Sequence, residues 1–254
     1  VSALPYRLNL DAARAAVAAG AHFVDMGGHI ETVLAELRLK QAAEQAGVCI
    51  IPDCGLAPGL INVMVADAVA EMHEVVDVHV RVGGLPAIPR PPWDYMLVFS
   101  WEGLINEYTG TAAVLRDWNR DEVDALTGIE SIHFPEPVGD CEAAFTSGGS
   151  STLPWTFAGR IRNLDYKTVR YPGHFGKIRA LAALGLFDTR PVEIDGVPIV
   201  PRTVLGRLMQ DNLVFEGDPD VVVLRVTSTG MRGGKRVTLR HEMMDSWDEE
   251  DRKS

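Results

Sequence analysis

Cysteine is scarce. The 254-residue chain carries three, Cys49, Cys54 and Cys141, and none has the CxxC or CxxxxH spacing of a structural zinc site. A metal centre is therefore not expected, and an odd, sparse count of thiols points to a reducing compartment, with the cytoplasm as the expected location. No stretch approaches the roughly 18 consecutive apolar residues of a membrane span, and no basic segment precedes an apolar one as in a secretory leader. Basic residues are outnumbered 24 to 35, for a formal net charge of -11. They form no Lys/Arg-rich cluster, which argues against nucleic acid or an anionic membrane as a partner. An initiator methionine is missing too: the chain opens on Val1 inside what reads as a strand, as a fragment would. Also absent is a GxGxxG turn between a strand and a helix. Gly230-Met231-Arg232-Gly233-Gly234 falls in a hairpin and opens no helix.

What is present is enough hydrophobic sequence, 46% of residues, to bury the core of one large or two modest domains. The chain turns from structure to chemistry in the stretch from Pro52 to Asn62. An apolar run (48–51) precedes it and an apolar-periodic segment (59–72) follows, so it reads as strand, tight loop, helix. In α/β sheets ligands collect at such loops, beside free N–H groups and the positive end of a helix dipole. Asp53, Cys54 and Asn62 would be presented there, with Gly55 and Gly59 allowing close approach. The plainer alternative is a βα turn that uses Gly and Pro for geometry and buries its cysteine.

Upstream, Val1 to Pro5 reads as a strand end. Asn9 is placed to cap a helix over 10–19, closed by Gly20. A strand over 22–26 then ends in Gly27-Gly28, and a helix over 30–46 is closed by Gly47. Three strands alternating with three helices make a parallel sheet whose exits, Ala3-Leu4-Pro5, Met26-Gly27-Gly28 and Asp53-Cys54-Gly55, share one rim.

From Val75 the period becomes two, with Val76, Val78, Val80 and Val82 alternating with Asp77, His79 and Arg81, as in a strand with one wet face. Further strands are expected at 95–101, 112–116, 122–125, 142–146 and 164–170. Helices are expected at 151–162, 175–184 and 201–212, and a last hairpin at 221–227 and 236–243. The acidic end, 245–251, reads as solvated. The fold class is α/β: a partial parallel sheet over 1–74, an α+β domain over 75–220, and a terminal hairpin with its tail over 221–254.

Five strings in this order, Ser2-Ala3-Leu4-Pro5, Asp53-Cys54-Gly55-Leu56-Ala57-Pro58-Gly59, Gly83-Gly84-Leu85-Pro86, Thr146-Ser147-Gly148 with Ser151-Thr152-Leu153-Pro154, and Arg170-Tyr171-Pro172-Gly173-His174, resemble the saccharopine dehydrogenase family, most closely its lysine 6-dehydrogenase-like branch. The resemblance runs from Val1 to about Asp248. It implies a Rossmann-type nucleotide domain, lacking its GxGxxG part here, and a second substrate and dimerisation domain. It also implies NAD or NADP as cofactor, a small amino-acid substrate, oxidation of its amine carbon to a semialdehyde, and a homodimer or higher homo-oligomer. Saccharopine or carboxynorspermidine dehydrogenase relatives and a non-catalytic ligand-binding or dimerisation module are the alternatives.

By the same resemblance Ala3, Leu4, Pro5, Gly27, Gly28 and Gly55 would line the nicotinamide ribose, or else serve turn geometry alone. Asp53 would pair with the reacting ammonium and help take its proton, or cap the following helix. His174 would be a proton shuttle or a structural cap-region side chain. Arg170 suits bidentate recognition of a substrate carboxylate. Thr146, Ser147, Tyr171 and Tyr95 would complete the substrate pocket, Tyr95 equally suiting core or dimer contact. His79, Arg81, His133 and His241 are expected to meet solvent.

Overall fold

Short apolar runs punctuated by glycine fold as the alternating pattern requires in the structure, a computed structural model that describes residues 1–247. Strand β1 (Phe23–Val24) pairs in parallel with β2 (Ile50–Ile51), and Ser2 bridges Asp25 in the same sense, so the three strand exits lie side by side. Helices α1 (Asn9–Ala18), α2 (Ile30–Leu37) and α3 (Lys40–Ala46) connect them. Two details depart from expectation. Asn9 does not cap α1 but sits buried inside it, where its Oδ1 accepts a hydrogen bond from Ser2 Oγ at 3.0 Å. The stretch 30–46 is two helices with a joint at Arg38 and Leu39, which no Gly or Pro marks. Gly47 closes α3 at φ 67°.

Helix α4 (Leu60–Glu71) leads into an eight-stranded sheet. Its strands are β3 (Glu74–Pro86), β4 (Thr111–Arg116), β5 (Asn119–Asp124), β6 (Glu130–His133), β7 (Asp140–Phe145), β8 (Ile161–Arg170), β11 (Asp220–Arg232) and β12 (Lys235–Ser246). The main path runs β12-β11-β3-β8-β4-β5, with β7 and then β6 added beside the far half of β8. One core lies between α4 and the sheet, built from Ile61, Val65, Val78, Val80, Leu164, Leu224 and Val226 among others. A second gathers Tyr95 with α5 (Trp101–Glu107), α7 (His174–Ala183) and α8 (Pro201–Leu213).

Central placement changes the reading of β3. Its second face is wet only in part: His79 keeps a side-chain exposure of 45%, whereas Arg81 is 6% exposed and lies between Glu130 and Asp165, both at 2.5 Å. A bulge opposite Thr229 and Gly230 skips Val76 and turns Val75 into the core. The expected strand over 95–101 is a loop whose first part is buried, because Tyr95 and Leu97 pack among helices while Val98 and Phe99 are exposed; Ser100 Oγ then accepts the Gly103 N–H at 3.1 Å and starts α5. The expected helix over 151–162 shrinks to α6 (Leu153–Thr156), since Ile161 already begins β8. The hairpin expected to stand apart at the end belongs to the sheet, with β11 paired on both sides, so no structural break falls at 220–221. Strand β6 and the small hairpin β9 (Val192–Ile194) and β10 (Val197–Ile199) were not foreseen. The acidic end beyond residue 247 lies outside the described residues.

Candidate active site

The loop after β1 and the start of α2 form one wall of a cleft of about 360 Å³, through Gly28, His29, Ile30 and Glu31; the exits at Ala3-Leu4-Pro5 and Asp53-Cys54-Gly55 lie beside that wall and do not line the cleft. Ala3, Leu4 and Pro5 are exposed beside Asp25, whose Oδ1 accepts the Gly27 N–H at 2.6 Å. Gly27, at φ 73°, has no room for a side chain, since a Cβ there would overlap the Asp53 carboxylate. Gly28, at φ 109°, faces open space and lines the cleft. Gly55 is packed tightly, with a Cβ position 3.0 Å from the Met26 carbonyl. Gly59 must be glycine: its φ is 138°, and a Cβ would lie 1.9 Å from the Gly55 carbonyl oxygen. Asn62, not Asp53, caps α4, accepting the Gly59 N–H on Oδ1 at 3.3 Å.

Asp53 adopts a left-handed backbone at φ 62° and is 8% exposed. Its Oδ2 accepts a hydrogen bond from Ser151 Oγ, tying the first layer to the second. Burial raises its pKa to about 6, with the Ser151 hydrogen bond opposing and Asp25 adding to the rise. Behind it, Glu36 on α2 is 1% exposed; burial first, then Asp25, pushes its pKa up to about 7. Three carboxyl groups thus share one corner, and the physical consequence is that protons stay on it at pH where isolated carboxyls ionise. Cys54 is exposed, and burial of its thiol followed by Asp25 and Asp53 raises its pKa, so it is no thiolate nucleophile at neutral pH.

The opposite wall comes from the second layer: Glu107 at the end of α5, Glu122 on β5, and Ser147, Gly148, Ser150 and Ser151 after β7. Ser147 Oγ donates to the Asn106 carbonyl at 2.5 Å. Glu107 is about 30% exposed into the concave cleft and pairs with Arg170 at 3.5 Å. Enclosure pushes the Glu107 pKa up to about 7 despite the opposing pull of Arg170, which places a carboxyl that takes and gives protons near neutrality on the cleft wall. Among the cleft-lining residues are three glutamates, Glu31, Glu107 and Glu122, and no lysine or arginine.

Several expected residues stand behind that wall. Arg170 is 3% exposed; its guanidinium donates to Tyr108 Oη at 3.1 Å and to the Val169 carbonyl at 2.9 Å and lies 5.0 Å over the Tyr95 ring. It orients Glu107 and has no free fork for a substrate carboxylate. His174, 1% exposed, meets Tyr108 Oη through Nε2 at 2.9 Å. Burial holds its pKa well below the usual histidine range, so it is a neutral member of this cluster and not a shuttle at the rim. Tyr95 is 2% exposed in the same cluster. Thr146 is buried against Thr168 at 2.6 Å, and Tyr171 sits in a different core, donating to the Pro86 carbonyl at 3.0 Å. Of the second-domain residues expected to form the substrate pocket, Ser147 alone lines the cleft. His79 pairs with Asp165 at 2.9 Å and Arg81 is buried, so neither is simply solvated. Sequence reasoning missed Asp25, Glu36, Glu107 and Tyr108. Glu36 had a signal, lying three residues after buried Val33 on the inner stripe of α2.

Residues 55–253 match the model of the Saccharopine dehydrogenase C-terminal domain family. Among solved structures, the apo saccharopine dehydrogenase (L-Glu forming) of Saccharomyces cerevisiae superposes with a TM-score of 0.76 at 17% identity, covering 97% of this chain and 70% of the yeast one. A dehydrogenase (MviM) of Clostridium difficile has a TM-score of 0.30 at 9% identity over 92% of this chain and 59% of its own. A Synechocystis biliverdin reductase, solved with biliverdin and NADP+, has a TM-score of 0.29 at 12% identity over 93% and 63%. The yeast likeness establishes a shared fold, and the two weaker ones carry no argument. With the family match spanning more than half its length, the chain belongs to the saccharopine dehydrogenase family of oxidoreductases.

Proposed function

We propose that this chain forms the substrate side of a nicotinamide-dependent dehydrogenase that oxidises the amine carbon of a small amino acid, as lysine 6-dehydrogenase does. The observation that carries the reading is the charge of the cleft: Glu31, Glu107 and Glu122 line it without a lysine or arginine, which suits an ammonium group. The N-terminus of α2, at Ile30, offers N–H groups to the same space, enough for one carboxylate. Saccharopine carries three carboxylates and would leave two of them facing glutamates.

NAD or NADP fits the rim in the one place tested by space: Gly28 leaves its surface bare, beside exposed Ala3, Leu4 and Pro5. When bound, the cofactor accepts the hydride from the amine carbon. The rest falls to this chain. Glu107 pairs with the substrate ammonium and, with its pKa near 7, takes the proton that must leave nitrogen before the carbon can give up hydride. Arg170 and Tyr108 hold the Glu107 side of the wall, and Asp53 with Ser151 keeps the two walls together. Water then hydrolyses the imine to semialdehyde and ammonia.

The test is turnover of lysine against saccharopine by the full-length protein, read as reduced nicotinamide, in wild type and Glu107→Gln. Lysine oxidation that falls about 10²- to 10⁴-fold in kcat in the variant supports the assignment, since that is the range for a lost general base. Preference for saccharopine would transfer the chain to the other branch. Turnover of neither, with ligand binding retained, would leave a non-catalytic module.

A further inference from the structure

We infer, on the amine-oxidising reading of the cleft, that His29 is a second catalytic residue: the base that takes a proton from water as it adds to the imine. Glu107 cannot serve that step. It takes its proton from the substrate nitrogen and still holds it when the hydride has gone to the nicotinamide, so the incoming water needs another acceptor. The titratable groups among the cleft-lining residues are His29, Glu31, Glu107 and Glu122. Imidazole is intrinsically the stronger base of the two kinds. Glu122 already accepts a hydrogen bond from Thr111 Oγ1 at 2.7 Å, and Glu31 is exposed, with no hydrogen bond or ion pair to orient it among the described residues.

His29, by contrast, is held on two sides. It is half-buried where α2 begins, and its ring stacks on Tyr6 with centroids 4.8 Å apart and planes 16° from parallel. Its Nδ1 meets Thr32 Oγ1 at 3.2 Å. The stack sets the plane of the ring and the Thr32 contact sets its rotation in that plane. With the ring proton on Nδ1 and given to Thr32, the lone pair is on Nε2, which has no hydrogen-bond partner among the described residues. Tyr6 carries the arrangement across to the second layer, for its Oη accepts a hydrogen bond from Asn106 Nδ2 at 3.0 Å. Asn106 is fixed in turn by Arg202 on its Oδ1 and by Ser147 on its carbonyl, and Glu107 is the next residue. One run, His29 to Tyr6 to Asn106 to Glu107, thus spans the cleft. At about 360 Å³ the space is at the small end of ligand pockets, so one small substrate meets both groups. His29 also directly follows Gly28, the bare surface proposed for the cofactor.

The steps balance. Glu107 takes a proton from the substrate ammonium, and the hydride leaves the amine carbon for the oxidised nicotinamide, which makes the protonated imine. His29 Nε2 takes one proton of a water while the water oxygen bonds to that carbon, giving a neutral carbinolamine and an imidazolium. Glu107 returns its proton to the nitrogen. The C–N bond then breaks as the hydroxyl proton passes to the departing ammonia, leaving the aldehyde and ammonium. His29 gives its proton to solvent, and that is the one proton released in each turnover.

Single-turnover and steady-state kinetics of the full-length protein with lysine and the nicotinamide cofactor, in wild type, His29→Gln and Glu107→Gln, separate the two proton acceptors. His29→Gln is expected to form the first equivalent of reduced nicotinamide within about twofold of the wild-type rate and then to turn over about 10²-fold more slowly. Glu107→Gln is expected to lose the first equivalent as well. Added imidazole should restore turnover to His29→Ala in proportion to its concentration, a response that a ring needed only for packing would not give. His29→Gln with wild-type turnover, an equal loss of both phases in it, or a His29→Ala enzyme indifferent to imidazole would each overturn the inference. In all three cases lysine oxidation by the wild type, lost in Glu107→Gln, leaves the substrate reading standing. A wild type that oxidises neither lysine nor saccharopine overturns that reading, and the role of His29 with it.

Discussion

Arg170 illustrates what burial does to a residue chosen for its chemistry. A guanidinium that stacks on Tyr95 and donates to Tyr108 and Val169 has exchanged water for fixed partners, and its pairing with Glu107 offsets part of the desolvation. Removing it strands Glu107 and Tyr108 in an enclosed site. Arg170→Met is therefore expected to cost about 3–5 kcal/mol of stability, seen as a lowered urea midpoint with unchanged slope, and not merely a loss of substrate affinity. An unchanged midpoint would return Arg170 to the role of a substrate ligand. Glu36 gives the pH counterpart. Its folded pKa, about 7, stands above the ordinary value of 4.5. A raised pKa stabilises below the unfolded value and loses that contribution as pH climbs through the folded one. Stability should thus fall between about pH 5 and pH 8, and Glu36→Gln should flatten that fall by about 1–3 kcal/mol, measured by urea unfolding at the two ends of the range. A slope identical to wild type would show that Glu36 does not hold the proton.

At the scale of elements, the punctuation of the first 74 residues could be read because glycine acts locally. Gly20, Gly47 and Gly59 sit at positive φ, at the ends or beginnings the sequence marks. Two glycines in the same loops nevertheless do different work. Gly59→Ala meets the Gly55 backbone and is expected to cost at least about 3 kcal/mol, combining strain with an overlap that cannot relax. Gly28→Ala carries the backbone strain alone, about 1–3 kcal/mol, because nothing lies within 4 Å of its Cβ. It should fold, and its loss should appear as a raised KM for the nicotinamide cofactor in the full-length enzyme. A Gly28→Ala enzyme with wild-type KM would remove that surface from the cofactor site. The elements that misled are those whose apolar residues answer to tertiary neighbours. Tyr95, Met96 and Leu97 have strand-like composition, yet they are buried or half-buried in a loop against α5, α7 and α8. That displaced α5 from the reading, and with it Glu107, the carboxylate at its end. The cleft wall was thus legible where a glycine after a strand sets it, at Gly28, and hidden where helices packed from a distance in sequence set it; Asp53 stands behind that wall, bonded to Ser151.

The whole molecule hangs on a sheet whose two faces solve burial differently. Toward α4, valines and leucines meet an apolar helix. On the other face, Arg81, Asp165, Glu130, Lys167 and His79 pair across β3, β6 and β8. The alternation of valine with charge along β3 announced two unlike faces. It did not announce that Arg81 on the charged face is buried, because its partners lie 49 and 84 residues away. Such a ladder is well satisfied as a unit and costly to break singly, since a lone buried charge remains. Asp165 is held below the usual carboxylate range by His79 and Arg81 against its own burial, so its contribution is present above its unfolded pKa and fades as pH drops through the folded one. His79, raised chiefly by its hydrogen bond to Asp165, contributes below its ordinary pKa and loses that contribution as pH rises through the raised one. Asp165→Asn breaks both at once. It is expected to destabilise by about 2–4 kcal/mol at neutral pH and to bring the variant and wild type together as pH falls through the lowered folded pKa of Asp165, where the wild-type carboxylate also takes a proton. Thermal melts of the two proteins across that range check the convergence, and a gap that stays constant down to low pH would show that the ladder stabilises by packing and not by charge.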